Sequence, residues 1–376
     1  MKIGIDCRTI LNPGFGEGAG IGHYVYYLVK NLMVIDQENQ YVLFFDDLIS
    51  DDAIREVVGQ RPGVTIKRFP FHRFKHYLPY VYSHLLVSQK FNQAKLDVCH
   101  FPATSVPARY RGKRVVTVHD LAIYDFPEWF PGQQDFAVNM LVPESIERAD
   151  RVIVVSQNTK ADLLRLFRVP ASRVEVIYEG VEIANADEAA ERADVKGVFQ
   201  LRGPYVLYLG TLEPRKNLTV LLRAWREVKT NATLVLAGAK GWQADDIFNE
   251  LELCRRQRPG SVRYLGYVSH DQKIGLMKNA VCFVFPSLYE GFGLPVLEAM
   301  ALGAPVITSN VSSLPEIADG AAILINPYSQ TEIVEAVTQL LNDEGLRTKY
   351  RELGFGRAKI FDWRTTAAKT LQVYRS

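Results

Sequence analysis

The sequence contains little cysteine: Cys7, Cys99, Cys254 and Cys282 are its only four among 376 residues, and they are widely separated. Three of them lie in or beside apolar, strand-like runs, which is typical of buried thiols in a reducing compartment. Cys99 precedes His100, but no second pair of ligands follows at the spacing of a zinc site. The cysteines therefore predict neither a disulfide framework nor a zinc site.

Long apolar runs are also missing. No stretch approaches the roughly 18 consecutive apolar residues of a spanning helix, and residues 1–10 form a strand pattern without the basic and apolar regions of a signal peptide. We therefore expect a cytoplasmic protein. The formal net charge of +2 argues against a generic binder of polyanions.

The charge is not spread evenly along the chain. The segment 61–114, called the basic window below, holds eleven Lys and Arg residues against one acid, Asp97, a local net charge of +10. Phe and Tyr residues are interspersed in it, a mixture that favours peripheral contact with an anionic membrane or a lipid-pyrophosphate acceptor. The alternative is a solvated helix face with its aromatic side chains in the core. No nucleic-acid-binding motif accompanies the charge, so we expect no nucleic-acid partner.

Strand-like and helical patterns alternate over residues 1–180 and again over residues 205–361. Such alternation predicts an α/β protein with two doubly wound parallel sheets, and the length of the chain suits two domains with a cleft between them. The intervening stretch, about 179–204, is acidic and rich in alanine, and it predicts a linker with one short exposed helix. Residues 362–376 form an amphipathic helical segment.

The segment 281–308 predicts a strand, a glycine loop, a helix and a second strand. The loop contains Glu290 and the helix contains Glu298, with Gly291 and Gly293 between them. A helix that starts at Leu294 leaves its first N–H groups unpaired, and glycines without a Cβ let a phosphate approach the backbone. Glu298, one turn further on, suits paired hydroxyls such as those of a ribose. Taken alone, the same residues also fit a plain strand, loop and helix with two solvated acids.

The run PSLYEGFGLPVLEAMALGAPVI, which carries Glu290 and Glu298, resembles the signature of retaining GT-B glycosyltransferases of the GT4 type. This group includes bacterial mannosyl- and glucosyltransferases of polysaccharide assembly. The resemblance implies two Rossmann-like domains facing a central cleft. The N-terminal domain, 1–180, would bind the acceptor, and the C-terminal domain, 205–361, the nucleotide sugar, with the helix in 362–376 crossing back to the first domain. Within the glycine loop it implies donor contacts from Gly291, Phe292, Gly293 and Leu294.

A second resemblance lies in GTLEPRKN, residues 210–217. Two adjacent cations at a loop-to-helix junction are unfavourable for the helix dipole, and this argues against a purely structural explanation. A departing diphosphate needs fixed cations. In the family the Arg and Lys of this element bind the diphosphate, which implies that role for Arg215 and Lys216, and Gly210 is expected beside the donor.

Two loops of the N-terminal half complete the resemblance. His119 and Asp120 follow a strand pattern and look like the family's HD element, whose His contacts the donor sugar; a structural hydrogen bonder is the alternative. The glycine loop 12–22 formally matches a dinucleotide fingerprint, but the preceding strand ends too early for one. The resemblance places Gly18 and Gly20 near the donor diphosphate, whereas an ordinary surface loop is the alternative.

In similar enzymes, the position of Gly266, Tyr267 and Val268 holds the nucleotide base, often through backbone atoms. A half-buried aromatic side chain is the alternative for Tyr267. Because backbone atoms make the contact, these residues do not identify the base.

The resemblance implies transfer of a hexose from a nucleotide diphosphate sugar to a saccharide or lipid-linked acceptor with retention at the anomeric carbon. Glu290 would contact donor-sugar hydroxyls, while the departing phosphate oxygen takes the acceptor's proton on the front face. GDP-mannose is the favoured donor, from the run 309–316 and the opening MKIGIDCRTI, and a UDP-glucose or other UDP-sugar donor is the alternative. No Asp-x-Asp motif lies at a strand end, so we expect no metal and no cofactor. A nucleotide-sugar epimerase and a non-catalytic nucleotide-sugar-binding protein on the same fold stay open.

Overall fold

A computed structural model describes residues 1–10, 20–70, 80–131, 137–182 and 186–376. The chain divides into two units. The first unit comprises Met1–Tyr124, Gln133–Gly180 and Asp362–Ser376, and the second comprises Asp125–Gly132 and Val181–Phe361. The predicted Gly18 lies outside the described residues, as does most of the first glycine loop.

Within its described residues the first unit contains a seven-stranded, all-parallel sheet in the order β3-β2-β1-β4-β5-β6-β7. Its strands are β1 Lys2–Asp6, β2 Gln40–Asp46, β3 Val64–Phe69, β4 Val98–Phe101, β5 Arg114–Val118, β6 Arg151–Val154 and β7 Val174–Val176. The helices between them are α1 Gly20–Ile35, α2 Asp51–Val58, α3 Tyr80–Gln93, α4 Ala122–Asp125, α5 Val142–Glu147 and α6 Gln157–Leu166.

Both faces of this sheet are covered, and the pleat explains why its strands are apolar at successive positions. Val115 packs in a core cluster with Ile3 and Ile5 on one face. Its neighbour Val116 packs in a second cluster with Phe101 on the other face. Helices therefore lie on both sides, as the alternation of patterns predicts.

The second unit has a six-stranded parallel sheet among its described residues, in the order β10-β9-β8-β11-β12-β13. The strands are β8 Tyr205–Leu209, β9 Thr233–Ala237, β10 Val262–Tyr264, β11 Cys282–Phe285, β12 Val306–Ser309 and β13 Ile323–Ile325. Its helices are α7 Ala186–Ala193, α8 Val195–Val198, α9 Leu218–Glu227, α10 Asp245–Gln257, α11 His270–Asn279, α12 Leu294–Ala301, α13 Leu314–Ala318, α14 Gln330–Asn342 and α15 Glu344–Ala358. The prediction of two doubly wound parallel sheets is confirmed.

The stretch expected to be a linker with one short exposed helix differs in the structure. It forms two helices, α7 and α8, which belong to the second unit. Arg192 of α7 pairs with Asp271 of α11 at 3.1 Å, from Nε to Oδ2. A Cβ at Gly275 of α11 would lie 2.9 Å from Val195 Cγ1, so the absence of a side chain there permits close packing. Ala189 and Ala193 of α7 are buried, and Ala193 lies beside Gly275 of α11, so α7 packs against a neighbouring helix rather than facing solvent alone.

A short aromatic segment, Asp125–Gly132, packs with the second unit although both of its neighbours in sequence belong to the first. Phe126 stacks on Trp129 with ring centroids 4.1 Å apart. Trp242 donates its indole N–H to the carbonyl of Trp129, and Tyr289 lies 6.4 Å from Phe126 between ring centroids. No sequence pattern predicts this attachment.

The C-terminal helix, α16 Trp363–Arg375, packs in the first unit, as predicted. Trp363 stacks on Tyr27 of α1 at 5.5 Å between centroids. The Thr366 hydroxyl donates to the Tyr178 carbonyl at 2.7 Å. Across all described ranges, no helix combines the length and the apolarity needed to cross a membrane.

Candidate active site

Two loops of the second unit leave the same edge of its sheet. Strands β8 and β11 are parallel neighbours, paired at Val206 with Cys282, so their carboxyl ends lie side by side. The loop after β8 contains residues 210–217, and the loop after β11 contains residues 286–293. The Leu288 amide donates to the Arg215 carbonyl at 2.9 Å and ties the two loops together. Ligands of parallel sheets bind at this kind of edge.

The carboxylate of Glu290 lies between two cations at the junction of these loops. Its Oε1 accepts hydrogen bonds from Lys216 Nζ at 2.5 Å and from Ser287 Oγ at 2.6 Å. Its Oε2 lies 3.5 Å from Arg215 Nη1. The Glu290 side chain is only 9% exposed, and a carboxylate buried to this degree requires charged and hydrogen-bonding partners.

The local backbone explains how two successive cations reach one carboxylate. Residues Pro214–Lys216 form a single 3-10 turn, and Asn217 then adopts a left-handed conformation with φ of 58°. The Asn217 side-chain amide donates to the carbonyls of Pro286 and Pro327, at 3.2 and 2.7 Å. Arg215 is also held by Glu213, whose Oε1 accepts from Nη2 at 3.0 Å. The turn is therefore fixed by contacts on both sides.

Burial and charge act in opposite directions on Glu290. Burial raises the pKa of its carboxyl group, but Lys216 and Arg215, with hydrogen bonds from Lys216 and Ser287, outweigh that effect and lower the pKa below its usual value. Burial also lowers the pKa of the Lys216 ammonium, an effect that Glu290 opposes. The two cationic neighbours stabilise the ionised form of the Glu290 carboxylate. Glu290 and Lys216 are therefore both charged at neutral pH.

Side chains that follow β12 fix the glycine loop. The Glu290 amide donates to Ser312 Oγ at 2.9 Å, and Ser313 Oγ donates to the Phe292 carbonyl at 2.7 Å. Gly293 has φ of 109°, and a Cβ there would lie 2.9 Å from Leu314 Cδ2. Only glycine fits this position without strain. The chain can then enter α12 directly at Leu294.

Glu298 of α12 takes part in a second ion pair. Lys273 Nζ donates to its Oε1 at 2.7 Å. The two side chains are 14% and 11% exposed, respectively. Lys273 was not singled out by the sequence, because no motif spacing connects it with Glu298.

The expected base-binding position follows β10 at the same edge of the sheet. Three neighbouring strands are followed by glycine there, at Gly210, Gly238 and Gly266. The Gly238 amide donates to the Gly266 carbonyl at 2.7 Å, and a Cβ at Gly238 would lie 2.0 Å from the Gly210 carbonyl oxygen. The Tyr267 side chain is 66% exposed rather than half-buried, whereas Val268 is buried.

Comparison with known proteins decides the family. Residues 18–185 match the family described as Glycosyltransferase Family 4, and residues 190–356 match Glycosyl transferases group 1. Over 368 residues the chain is 32% identical to the O-antigen chain mannosyltransferase B of Escherichia coli, with 95% of this chain and 96% of that protein covered. The chain therefore belongs to the glycosyltransferase family that these two models and this relative represent.

Solved structures show that this glycosyltransferase has the GT-B fold. A sucrose-phosphate synthase from Thermosynechococcus elongatus is similar with a TM-score of 0.77 and 22% identity, over 100% of this chain and 98% of that one. Anabaena HepE, solved with UDP and glucose, is similar with a TM-score of 0.73 and 18% identity, over 100% and 99%. At these identities the likeness shows the fold alone.

The remaining predicted residues of the glycosyltransferase lie in its first unit. His119 follows β5 and its side chain is 16% exposed. Its Nε2 lies 2.9 Å from the Pro102 carbonyl oxygen and its Nδ1 lies 3.3 Å from Glu179 Oε1. Asp120 Oδ1 accepts from the Ala122 amide at 3.3 Å, as a residue that caps the next turn does. Gly20 begins α1 with φ of 69°.

The structure thus brings Arg215, Lys216 and Glu290 into one ion-paired cluster of the second unit and places His119 in the first unit. Several partners of these residues were missed by the sequence analysis: Glu179, Glu213, Lys273, Ser287, Ser312 and Ser313. Among the described residues, no group of three His, Cys, Asp or Glu side chains is arranged to hold a metal ion.

Proposed function

We propose that this glycosyltransferase moves a hexose from a nucleotide diphosphate sugar to a saccharide or lipid-linked acceptor in cell-surface polysaccharide synthesis. It would do so with retention of anomeric configuration and without a metal or cofactor. In this proposal the second unit binds the nucleotide sugar and the first unit binds the acceptor. The observation that supports it most is the cluster in which Lys216 and Arg215 flank the buried Glu290 carboxylate.

The proposed role of the two cations follows from the charge of the leaving group. As the glycosidic bond breaks, negative charge builds up on the departing diphosphate oxygen, and fixed cations stabilise that charge without reorganising. Glu213 holds Arg215 in place, and Glu290 holds Lys216. The amides at the start of α12, beyond Gly293, would add hydrogen-bond donors at the same edge.

Glu290 is a poor candidate for a covalent nucleophile. A double-displacement route requires a carboxylate beneath the anomeric carbon, yet both oxygens of Glu290 contact cations and Oε1 also accepts from Ser287. Its lowered pKa reduces its nucleophilicity further. We therefore assign Glu290 to donor-sugar hydroxyls, and His119 to the donor sugar as well, and propose a front-face transfer. In such a transfer the departing phosphate oxygen accepts the proton of the acceptor hydroxyl.

The proposed donor is GDP-mannose. The Escherichia coli relative at 32% identity is named an O-antigen chain mannosyltransferase. A UDP-sugar, such as UDP-glucose, is the second candidate, because the structurally similar HepE was solved with UDP and glucose. The backbone around Gly266 and Val268 is the proposed base site in either case.

We also propose peripheral contact of the basic window with an anionic membrane. A cavity of about 820 Å³ lies between α3 and the loop before β5. Lys95, Arg109 and Arg111 line it together with apolar side chains such as Leu86 and Phe91. No acidic residue is among the described residues that line it. Cationic and apolar groups side by side suit the headgroup region of an anionic bilayer.

One experiment tests the reaction and separates the alternatives. The purified protein is incubated with a panel of GDP- and UDP-sugars, with and without lipid-linked acceptors, in buffer that contains EDTA. We expect release of nucleoside diphosphate that depends on an acceptor, and a product whose anomeric configuration, measured by NMR, matches that of the donor. An epimerase would convert the sugar without releasing diphosphate, and a non-catalytic protein would bind the donor without turnover. Inversion, or a requirement for a divalent ion, would contradict the proposed mechanism.

Variants of the cluster test the assigned roles. Lys216→Ala and Glu290→Ala should abolish turnover, whereas Lys240→Ala, at an exposed lysine paired with Asp245, should leave it unchanged. Unchanged turnover in either cluster variant would remove that residue from the mechanism.

A further inference from the structure

The pair formed by Lys273 and Glu298 joins two helices at the edge of the sheet where the donor is proposed to bind. Lys273 lies in the first turns of α11, just after the proposed base-binding loop, and Glu298 lies in the second turn of α12. Nζ and Oε1 are 2.7 Å apart. The two side chains are 14% and 11% exposed, so each keeps limited access to solvent.

Each partner retains hydrogen-bonding capacity after pairing. An ammonium group has three N–H donors and an ionised carboxylate has two oxygens, each with two acceptor positions. Within the described part of the chain, Glu298 Oε1 is the acceptor that Lys273 contacts, and Glu298 Oε2 receives no hydrogen bond. The pair therefore presents a donor and an acceptor side by side.

The imidazole of His270, which lies near the pair, does not supply a second positive charge. Burial lowers the pKa of His270, and the Lys273 ammonium lowers it further, against smaller opposing effects of Glu298 and Asp271. His270 is therefore neutral at neutral pH, and Lys273 supplies the positive charge opposite Glu298.

Glu298 is the residue that the sequence predicts for the ribose hydroxyls of the donor. We propose that Lys273 completes this site and is a specificity-determining residue for ribonucleotides over 2′-deoxyribonucleotides. The inference rests on the proposed function, which makes a nucleotide sugar the ligand. The 3′-hydroxyl donates to Glu298 Oε2 and the 2′-hydroxyl accepts from Lys273 Nζ. A vicinal diol matches this arrangement because each hydroxyl can donate or accept.

Two physical reasons give Lys273 this role. A carboxylate alone at this site would repel the diphosphate of the ligand, and the ammonium at 2.7 Å cancels that charge. A ligand without the 2′-hydroxyl would leave one member of a largely buried polar pair without its partner, and such sites discriminate strongly against the analogue. Lys273 therefore affects the ratio of the affinities for the ribonucleotide and the 2′-deoxyribonucleotide, and not only the affinity for each.

The test measures affinities by calorimetry for UDP, GDP and their 2′-deoxy counterparts. For whichever base the wild-type protein prefers, we expect the ribonucleotide to bind at least about tenfold more tightly than the deoxy analogue. Lys273→Met should reduce this ratio to about twofold or less, because the donor to the diol is lost. Lys273→Arg, which keeps a charged donor, should retain most of the preference.

Lys278→Met is the matched control, because Lys278 lies on the same helix and also forms an ion pair, with Asp187 of α7. It should keep the wild-type ratio. If Lys273→Met proves unstable, Lys273→Leu, which also lacks a hydrogen-bond donor, provides the same comparison. The ratio itself does not change when a substitution only weakens folding.

The outcomes separate the two proposals. A wild-type protein that binds the nucleoside diphosphates without preference for ribose, or a Lys273→Met variant with the full wild-type ratio, overturns the role of Lys273 and leaves the proposed function standing. A wild-type protein that binds neither diphosphate and none of the nucleotide sugars overturns both proposals.

Discussion

The Lys216 ammonium lies 2.5 Å from Glu290 Oε1, although 74 residues separate the two in the chain. The adjacent strands β8 and β11 bring them together, because both loops leave the same sheet edge. The pair is 10% and 9% exposed, so neither charge is well solvated and each depends on the other. Removal of one partner should therefore change the stability of the protein as well as its activity.

Lys216→Met should lower the free energy of unfolding by about 3 kcal/mol, because it leaves the buried Glu290 carboxylate with Arg215 as its one cationic neighbour. Urea unfolding followed by circular dichroism measures the change. The double variant Lys216→Met/Glu290→Gln should recover part of the loss, since no uncompensated carboxylate remains. Both variants should lack turnover. A double variant no more stable than the single one would show that the charge of Glu290 is not the cause.

Glu290 should make stability depend on pH in the acidic range. Its folded-state pKa is lowered, against an unfolded value of about 4.3. The stabilisation is therefore fully present above the unfolded pKa and is lost as the pH falls through the folded pKa. The stability difference between wild type and Glu290→Gln should be constant from neutral pH to about pH 5 and shrink at lower pH. A difference that does not change with acidification would contradict this.

His100 should contribute a second, separate acid sensitivity. Burial, with a smaller effect of His119, lowers the pKa of His100 to about 3. Its ring nitrogens lie 2.7 Å from the hydroxyls of Tyr374 and Thr117, in the first unit. Because the folded pKa is lowered, the protein loses stability as the pH falls from about 6.5, by up to about 1.4 kcal/mol per pH unit.

Urea midpoints between pH 7 and pH 4 measure this slope for wild type and for His100→Gln. We expect the variant to be less stable at neutral pH and to show a shallower slope. Equal slopes in the two proteins would assign the acid sensitivity to other groups.

Gly293→Ala should destabilise the protein by about 1–3 kcal/mol and reduce turnover. The residue has φ of 109° and its added Cβ would meet Leu314, so the glycine loop must shift. Gly356→Ala is the matched control: Gly356 lies in α15 with no atom within 4 Å of an added Cβ. That substitution should stabilise the protein by about 0.5–1 kcal/mol. Thermal unfolding of both variants tests the contrast, and similar changes in the two would refute it.

Much of the architecture follows from local patterns. The strand pattern predicted before His119 is β5, Arg114–Val118, and it is recognisable because a buried parallel strand must be apolar on both faces. The sequence predicts the stretch 179–204 less well, because alanine-rich helices have the same pattern whether they face solvent or a neighbouring helix. The sequence pattern does not predict that Asp125–Gly132 packs with the second unit. This packing depends on contacts between individual aromatic rings and not on a periodic pattern.

The alternation of strands and helices can be read from the chain, because periodicity is a local property, and the resemblance to the family's motifs singles out Arg215, Lys216, Glu290 and Glu298. Which charges neutralise one another depends instead on the fold. Glu290 pairs with Lys216 and Arg215, whereas Glu298 pairs with Lys273 of α11. These distances follow from strand order. Strand β8 pairs with β11, and α11 connects β10 at one edge of the sheet to β11 in its interior, so residues distant in the sequence become neighbours.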